Sequence, residues 1–171
     1  MHIRILVDWK YDGKMSVEEA LKSHGMNYNI YDIPDYSMND RTHKFRIILL
    51  YMKYLKQACK VVSIASEKDL LICFNFTTSI AVGLVSKIKR KRCRILGINI
   101  IAPKRKGIVE KVRNMLFHHV MKSDNFFVTV NSKDYISDYS KRFNINRTKF
   151  FVLHDSIMNT NDTLPFLYRK S

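Results

Sequence analysis

Polar residues stand directly after several apolar, strand-like stretches of this 171-residue sequence. Asn75 and Thr77 follow one such stretch, and Asn131 and Ser132 follow another. In an open α/β sheet, ligands bind outside the carboxyl ends of the strands. These four residues are therefore candidates for contacting a substrate or its phosphate.

A basic segment follows a later strand-like stretch. Lys104, Arg105 and Lys106 precede the helix that Gly107 opens, and Arg113 comes one or two helical turns afterwards. Guanidinium and ammonium groups at the carboxyl edge of a sheet can hold a phosphate or pyrophosphate. A mobile basic loop is the alternative interpretation of the same residues.

The turn after the first strand contains Asp12, Gly13 and Lys14 just before a helix. Glycine and helix-terminal amides in that position can approach an anionic group. A single glycine in such a loop also serves simply to make a turn.

Six cations lie within eight residues between a helix and the next strand: Lys87, Lys89, Arg90, Lys91, Arg92 and Arg94. Cations near a helix C-terminus offset its dipole, which is the structural explanation for part of this patch. Their number also favours contact with a polyanion or an acidic membrane. Strand polarity predicts that the patch lies at the amino edge of the sheet, away from any catalytic edge.

Several kinds of chemistry are disfavoured. The sequence has neither a Gly-x-Gly-x-x-Gly fingerprint nor a Gly-x-x-x-x-Gly-Lys-Ser/Thr loop, which argues against dinucleotide and NTPase chemistry. Its three cysteines are well separated and are expected to be reduced, and no metal site is predicted. His154 and Asp155 follow the last strand. An Asp in this position could orient the imidazole, but a charged turn explains the pair more commonly.

Composition indicates one globular domain with a strongly basic surface. The formal net charge is +15, and residues 86–171 hold 19 Lys/Arg against 6 Asp/Glu, whereas residues 1–85 hold 11 against 9. Such asymmetry attracts nucleic acid, anionic lipid or a phosphorylated small molecule, and charge alone cannot choose among them. We find no secretory signal pattern and no apolar run of spanning length, so we expect a cytoplasmic protein with at most peripheral membrane contact.

Strand and helix patterns alternate along the chain. Strands are predicted at 3–9, 27–33, 69–76, 94–100, 126–130 and 150–153, and helices begin near Ser16, His43, Thr77, Gly107 and Ser132. The 43–60 helix carries Phe45, Ile48, Leu49, Met52 and Leu55 at core spacing, with a membrane-surface role as the lesser alternative. This order predicts an α/β fold: a Rossmann-like, doubly wound, mostly parallel sheet of about six strands with helices on both faces. The three-layer α/β/α domain should span residues 1–157, followed by a loosely ordered tail at 158–171.

One segment resembles a known family. From Asp124 to Asp155 the sequence DNFFVTVNSKDYISDYSKRFNINRTKFFVLHD reads as strand, Asn-Ser, amphipathic helix, Asn-Ile, and Lys-apolar strand. This is similar to the closing βαβ unit of the N-terminal domain in GT-B glycosyltransferases of the family 4 and family 1 type. IRILVDW, DLLICFN and RILGINIIAPKRKG are further matching parts, so that the resemblance covers most of the chain.

The resemblance implies the acceptor-binding half of a sugar-nucleotide-dependent glycosyltransferase of glycan or polysaccharide biosynthesis. A second Rossmann-like domain, or a partner chain, would bind the nucleotide sugar as co-substrate, with no tightly bound cofactor, and this chain alone would be inactive. The acceptor, saccharide or lipid-linked, would lie near residues 104–106, and the donor near residues 12–14. Contact with the inner face of an anionic membrane is also implied.

Two rivals remain open. One is a basic nucleic-acid-binding α/β module that uses the patch at 87–94, although no RNP, KH or helix-turn-helix signature is present. The other is a receiver-like or flavodoxin-like domain, which needs an acidic pocket or a flavin-phosphate loop that the sequence does not display.

Overall fold

Strands and helices alternate in the computed structural model of the chain, which describes residues 1–13, 15–33, 44–98, 100–102 and 107–153. The elements in order are β1 (Ile3–Leu6), α1 (Ser16–Ser23), β2 (Tyr28–Tyr31), α2 (Lys44–Ile64), β3 (Leu70–Cys73), α3 (Phe76–Ile88), β4 (Arg94–Gly97), α4 (Ile108–Met121), β5 (Phe126–Val130), α5 (Lys133–Phe143) and β6 (Phe150–Val152). A single 3-10 turn at Arg147–Lys149 precedes β6. The predicted alternation is confirmed.

The six strands form one sheet in the order β2-β1-β3-β4-β5-β6, and every neighbouring pair is parallel. The central strands are apolar on both faces, as parallel strands covered by helices must be. The predicted Rossmann-like α/β fold is therefore confirmed.

The helices are divided unequally between the two faces of the sheet. Crossovers between parallel strands are right-handed, so the face on which a helix lies depends on the direction in which the chain moves across the sheet. The chain moves in one direction from β1 to β2 and in the opposite direction in all later crossovers, which places α1 alone on one face. Helices α2 to α5 lie side by side on the other face, where α2 contacts α3, α3 contacts α4 and α4 contacts α5. Among the described residues, the layer on the α1 face therefore consists of one helix.

The main core lies between the sheet and α2 to α5. Phe117 packs between Phe76 and Phe143, with ring centroids 4.7 and 4.9 Å away. Gly83 of α3 marks a close approach, because a Cβ there would lie 2.8 Å from Cβ of Val120 on α4. Ile3, Ile5, Val7, Ile72 and Leu21 form a smaller core under α1.

The sheet strands are shorter than their apolar sequence runs. β3 ends at Cys73 rather than at Phe76, because Asn75 caps α3 and residues 74–75 form the connecting turn. β1 likewise ends at Leu6 rather than at Trp9. Helix α1 begins at Ser16, as the sequence predicts, with Met15 as its N-cap residue.

Helix α2 extends to Ile64 and turns a different face to the core than its sequence pattern predicts. Leu50, Tyr54, Ala58, Val61 and Val62 are buried. The predicted core positions Ile48, Leu49, Met52 and Leu55 are 60%, 61%, 59% and 37% exposed, so that prediction is wrong. Apolar residues occur around most of this helix, and periodicity alone could not identify its buried stripe.

Candidate functional site

The sheet has one topological switch point, between β1 and β3, because β2 lies on one side of β1 and all later strands lie on the other. Connections leave the carboxyl ends of these two strands toward opposite faces, which opens a crevice between them. We take this crevice, bounded by residues 8–11 and 74–78, as the candidate functional site.

Two pairs of side chains, one polar and one aromatic, flank the crevice. The hydroxyl of Tyr54, on α2, donates a hydrogen bond to Asp8 Oδ2 at 3.2 Å. Trp9 packs edge-on against Phe74 with ring centroids 5.8 Å apart. The residues after β1 and β3 thus present a carboxylate on the α2 side of the crevice and two aromatic side chains on the α1 side.

Helix α3 begins at the crevice and is capped by Asn75. Asn75 Oδ1 accepts a hydrogen bond from the Thr78 amide at 2.7 Å, and the Asn75 carbonyl accepts one from Ser79 Oγ at 2.7 Å. Asn75 Nδ2 and Thr78 Oγ1 are buried with no hydrogen-bond partner among the described residues. A buried polar atom without a partner costs about 1–3 kcal/mol, so these atoms are suited to bind a water or a ligand. Thr77 points elsewhere and lines the cavity beside α2 and α4.

The loop after β1 holds a glycine in a left-handed conformation. Gly13 has φ 90°, which residues with a side chain rarely adopt, so its turn-making role is evident from the backbone. The amide of neighbouring Tyr11 donates to Asp32 Oδ2 at 3.1 Å, which ties this loop to the end of β2. Asp12 is exposed, and Lys14 lies outside the described residues. Anion binding by this loop stays a prediction.

The stem of the loop after β4 is anchored to α5. The Ala102 amide donates to the Tyr139 hydroxyl at 2.7 Å, and that hydroxyl donates to the Ile100 carbonyl at 3.1 Å. Arg142 Nη1 donates to the Ala102 carbonyl at 2.7 Å, and burial raises the pKa of Tyr139. Lys104, Arg105 and Lys106 lie outside the described residues.

Arg113 has structural contacts at the start of α4. It pairs with the buried carboxylate of Glu110, which also pairs with Arg142. Its guanidinium carbon lies 5.1 Å from the centre of the Phe76 ring at the start of α3. Arg113 therefore joins α4 to the start of α3, and its predicted phosphate contact stays a prediction.

The basic patch of residues 87–94 lies at the amino edge of the sheet, since Arg94 opens β4. Lys87 donates to the His119 carbonyl at 2.6 Å, Lys89 to Ser63 Oγ at 2.6 Å and Lys91 to the Ala65 carbonyl at 3.1 Å. Lys87 and Lys91 thus donate to carbonyl groups near the C-terminal ends of α4 and α2, where a cation also offsets a helix dipole. Arg90, Arg92 and Arg94 are exposed.

Asn131 and Ser132 lie where the sequence placed them, between β5 and α5. Ser132 is the cap residue of α5 by backbone conformation, but its side chain makes no capping hydrogen bond. Both residues are partly buried at the carboxyl edge, two strands from the crevice. Their contact with a substrate stays a prediction, and His154 and Asp155 lie outside the described residues.

A broad apolar surface extends over α2 and α4, of which the sequence indicated only the α2 part, as the lesser alternative. Between these helices, over α3, lies a cavity of about 340 Å³ lined by Tyr54, Leu55, Ile80, Leu84, Val112 and Leu116. Ile108, Val109 and Met115 of α4 are 81%, 74% and 61% exposed, and Leu49 and Met52 of α2 are exposed to a similar extent. The signal for the α2 part was its apolar run IILLYM, whereas charged residues interrupt the apolar residues of α4 and gave no comparable signal.

Metal-binding residues do not cluster in the part of the chain that the structure describes. Cys59 is exposed, whereas Cys73 and Cys93 are buried free thiols whose pKa values are raised by burial. None of the helices in the described ranges combines the length and apolarity needed to cross a bilayer.

Comparison of the chain with protein-family models and with curated proteins found no match. Function must therefore be argued from the crevice, the apolar surface and the charged patches.

Proposed function

We propose that this chain is the acceptor-binding half of a sugar-nucleotide-dependent glycosyltransferase in glycan or polysaccharide biosynthesis. A second Rossmann-like domain, in the same or another chain, supplies the nucleotide sugar as co-substrate. The acceptor is a saccharide or a lipid-linked saccharide, and the chain alone does not transfer sugar. The proposal rests on the residue pattern of the sequence together with the crevice at the β1/β3 switch point.

The crevice is the observation that carries this proposal. A sugar presents C–H faces that stack on aromatic rings and hydroxyl groups that need acceptors. Trp9 and Phe74, on the α1 side of the crevice, offer the first kind of contact, and the Asp8 carboxylate, on the α2 side, offers the second. A few placed polar groups among apolar walls are typical of small-molecule sites.

A partner domain follows from the demands of group transfer. The two reacting atoms must be held about 3–3.5 Å apart, with water largely excluded. The described part of the crevice supplies one wall, from β1, β3 and the start of α3. The donor-binding domain would supply the other wall and close over the acceptor.

A reconstitution experiment tests the proposal. The full chain is combined with a separately expressed Rossmann-like donor domain, a panel of nucleotide sugars and saccharide acceptors, and product is followed by mass spectrometry. Transfer should depend on both proteins, and Asp8→Asn or Trp9→Ala should lower it at least tenfold. Glu67→Gln, an exposed substitution at the amino edge, is the matched control. Absence of acceptor binding and of turnover in every combination would overturn the proposal.

Peripheral contact with an anionic membrane at the inner face of the cytoplasmic membrane belongs to this proposal, and the apolar surface of α2 and α4 suits it better than the patch at 87–94. Helix α2 contains no acidic residue, and Lys53 and Lys56 flank its exposed Leu49 and Met52. Exposed apolar side chains beside cations are typical of helices that lie in the bilayer interface.

Cosedimentation with vesicles containing phosphatidylglycerol tests this membrane contact. The variant Leu49→Gln/Met52→Gln/Val109→Gln should abolish binding, whereas Ile88→Gln, at another exposed apolar position, should not.

A basic nucleic-acid-binding module is the second candidate, favoured by the exposed Arg90, Arg92 and Arg94 at one edge of the sheet. Phosphate contacts make affinity fall steeply with salt concentration. If this candidate is right, Arg92→Ala/Arg94→Ala should make the affinity for duplex or single-stranded nucleic acid less dependent on salt. The slope of log affinity against log salt concentration should fall by the amount that corresponds to about two phosphate contacts. Binding that is unaffected by these substitutions argues for a non-specific effect of the +15 charge.

A further inference from the structure

A second pocket lies beside the crevice, between the carboxyl end of β2 and helix α2. Its volume is about 340 Å³, within the range of roughly 300–1,000 Å³ that is typical of small-molecule sites. Tyr31, Asp32 and Ile33 form its strand side. Lys53, Lys56, Gln57 and Lys60 form its helix side.

The four helix residues share one face because they stand at positions i, i+3, i+4 and i+7 of α2. Gln57 is 8% exposed, whereas Lys56 and Lys60 are exposed at the rim. The helix therefore presents an uncharged amide at the floor of the pocket and ammonium groups at its opening.

The floor of the pocket has an unused acceptor. Gln57 Nε2 donates to the Val7 carbonyl at 3.1 Å and to the Tyr31 carbonyl at 2.8 Å, which fixes the orientation of the carboxamide. Its Oε1 is buried and has no hydrogen-bond partner among the described residues. Leaving such an atom unpaired costs about 1–3 kcal/mol, so a donor from a ligand or a water is expected there.

We infer that this pocket binds a phosphate ester that carries hydroxyl groups. The phosphate lies against the ammonium groups of Lys56 and Lys60, while a hydroxyl donates to Gln57 Oε1 and a second hydroxyl to the Asp32 carboxylate. Neither feature alone selects this ligand: the lysines would attract any anion, and the amide oxygen would accept from any donor. Together they select a molecule with both groups, such as a sugar phosphate or the headgroup of a phosphoinositide.

The pocket is separate from the crevice that carries the proposed sugar transfer, and the inference does not depend on that proposal. Titration calorimetry in 150 mM salt with glucose 1-phosphate, inorganic phosphate and glucose tests it directly. Glucose 1-phosphate should bind saturably and about tenfold more tightly than either of the other two. The side-chain amide resonance of Gln57 should shift on binding.

Paired variants separate a built site from general attraction. Lys56→Ala/Lys60→Ala should weaken glucose 1-phosphate binding at least tenfold, whereas Lys133→Ala/Lys141→Ala, two exposed cations on α5, should leave it unchanged. A second arm uses vesicles with and without phosphatidylinositol. Preference for those vesicles without binding of glucose 1-phosphate assigns the phosphate to a lipid headgroup and still supports the site.

Three results would overturn the inference. Equal weakening by the two double variants would show that the overall charge alone attracts the anion. Equal affinity for glucose and glucose 1-phosphate would remove the role of the lysines. Absence of saturable binding in both arms would mean that Gln57 Oε1 binds water only.

Discussion

Asp69 joins the amino-terminal segment of the chain to the loop before β3, at the amino edge of the sheet. Its carboxylate accepts hydrogen bonds from the amides of Ser66 at 3.0 Å and His2 at 3.3 Å, and from Arg4 Nη2 at 3.2 Å. Burial by itself would raise the pKa of Asp69. The bonds from Ser66, Arg4 and His2 outweigh burial and lower the pKa to about 2 from 3.8.

This shift predicts an acid-sensitive contribution to stability. A carboxyl whose pKa is depressed by folding stabilises the protein above its unfolded pKa, and the stabilisation is lost as the pH falls from about 4 through about 2. The contribution is about 2 kcal/mol at neutral pH. Urea unfolding of Asp69→Asn should show a free energy lower by at least this amount at pH 7 and a smaller difference at pH 2.5. Glu67→Gln, an exposed change in the same loop, should show neither effect.

Tyr139 supports the loop after β4 through one buried hydroxyl. Tyr139→Phe removes the partners of the Ala102 amide and the Ile100 carbonyl together, and should lower the free energy of unfolding by about 1–3 kcal/mol. Tyr135→Phe, at a side chain that is 43% exposed on the same helix, is the control and should change it little. Equal effects in urea unfolding would show that the hydroxyl of Tyr139 does not anchor the loop.

At the scale of elements, α3 is the central helix of the layer that α2 to α5 form on one face of the sheet. It lies between α2 and α4, and it begins at the crevice with Asn75. Its position over β3 and β4 requires a residue without a side chain at Gly83, where a Cβ would lie 2.9 Å from a ring carbon of Phe126. The same helix therefore sets both the packing of the layer and the location of the capped N-terminus.

Gly83→Ala tests this close approach. Alanine favours a helix over glycine by about 1 kcal/mol, but overpacking at a buried contact costs about 1–3 kcal/mol. The substitution should therefore leave stability unchanged or lower, despite the better helix propensity. Ala20→Gly, at an exposed position of α1, measures the propensity term alone. A gain in stability from Gly83→Ala equal to the loss from Ala20→Gly would contradict close packing of α3 on α4.

At the scale of the whole molecule, charge is concentrated in the second half of the chain. The formal net charge is +15, and the patch at 87–94 gathers six of the cations. Self-repulsion of this kind opposes the compact state and is screened by salt over a distance of about 10 Å at 0.1 M.

Salt should therefore stabilise the protein. Raising sodium chloride from 20 to 500 mM should raise the urea concentration at the midpoint of unfolding. Arg92→Glu should reduce that salt effect more than Lys133→Glu does, because both change the net charge equally but only Arg92 lies in the patch. An unchanged midpoint across this salt range would show that repulsion within the patch is negligible.

The two faces of the molecule are also unequal. Helix α1 covers β2, β1 and β3, whereas Phe151 and Leu153 on the same face beyond it are 51% and 43% exposed. With the apolar surface of α2 and α4, the described residues leave two apolar regions open to contact. Contiguous exposed apolar surfaces of this kind are typical of sites that bind another protein, a membrane or a ligand.

The sequence by itself determined the alternation of elements and the parallel sheet, because runs such as DLLICFNF and FFVTV are apolar on both faces and are separated by helical segments. It also located Asn75, Gly13 and the basic patch relative to the strands, since each is adjacent to its strand in the chain. Glycosyl transfer stays a proposal at this level, because the residue pattern identifies no catalytic group.

Only the tertiary structure decided which residues meet across long separations. Arg4 and Asp69, Gln57 and Val7, and Tyr139 and Ala102 are each distant in the chain and joined by hydrogen bonds. The strand order fixed the crevice between β1 and β3 and left four helices on one face. Periodicity reports which residues share a side of an element, but the direction that side faces depends on the neighbouring elements, and for this reason the exposed face of α2 could not be predicted.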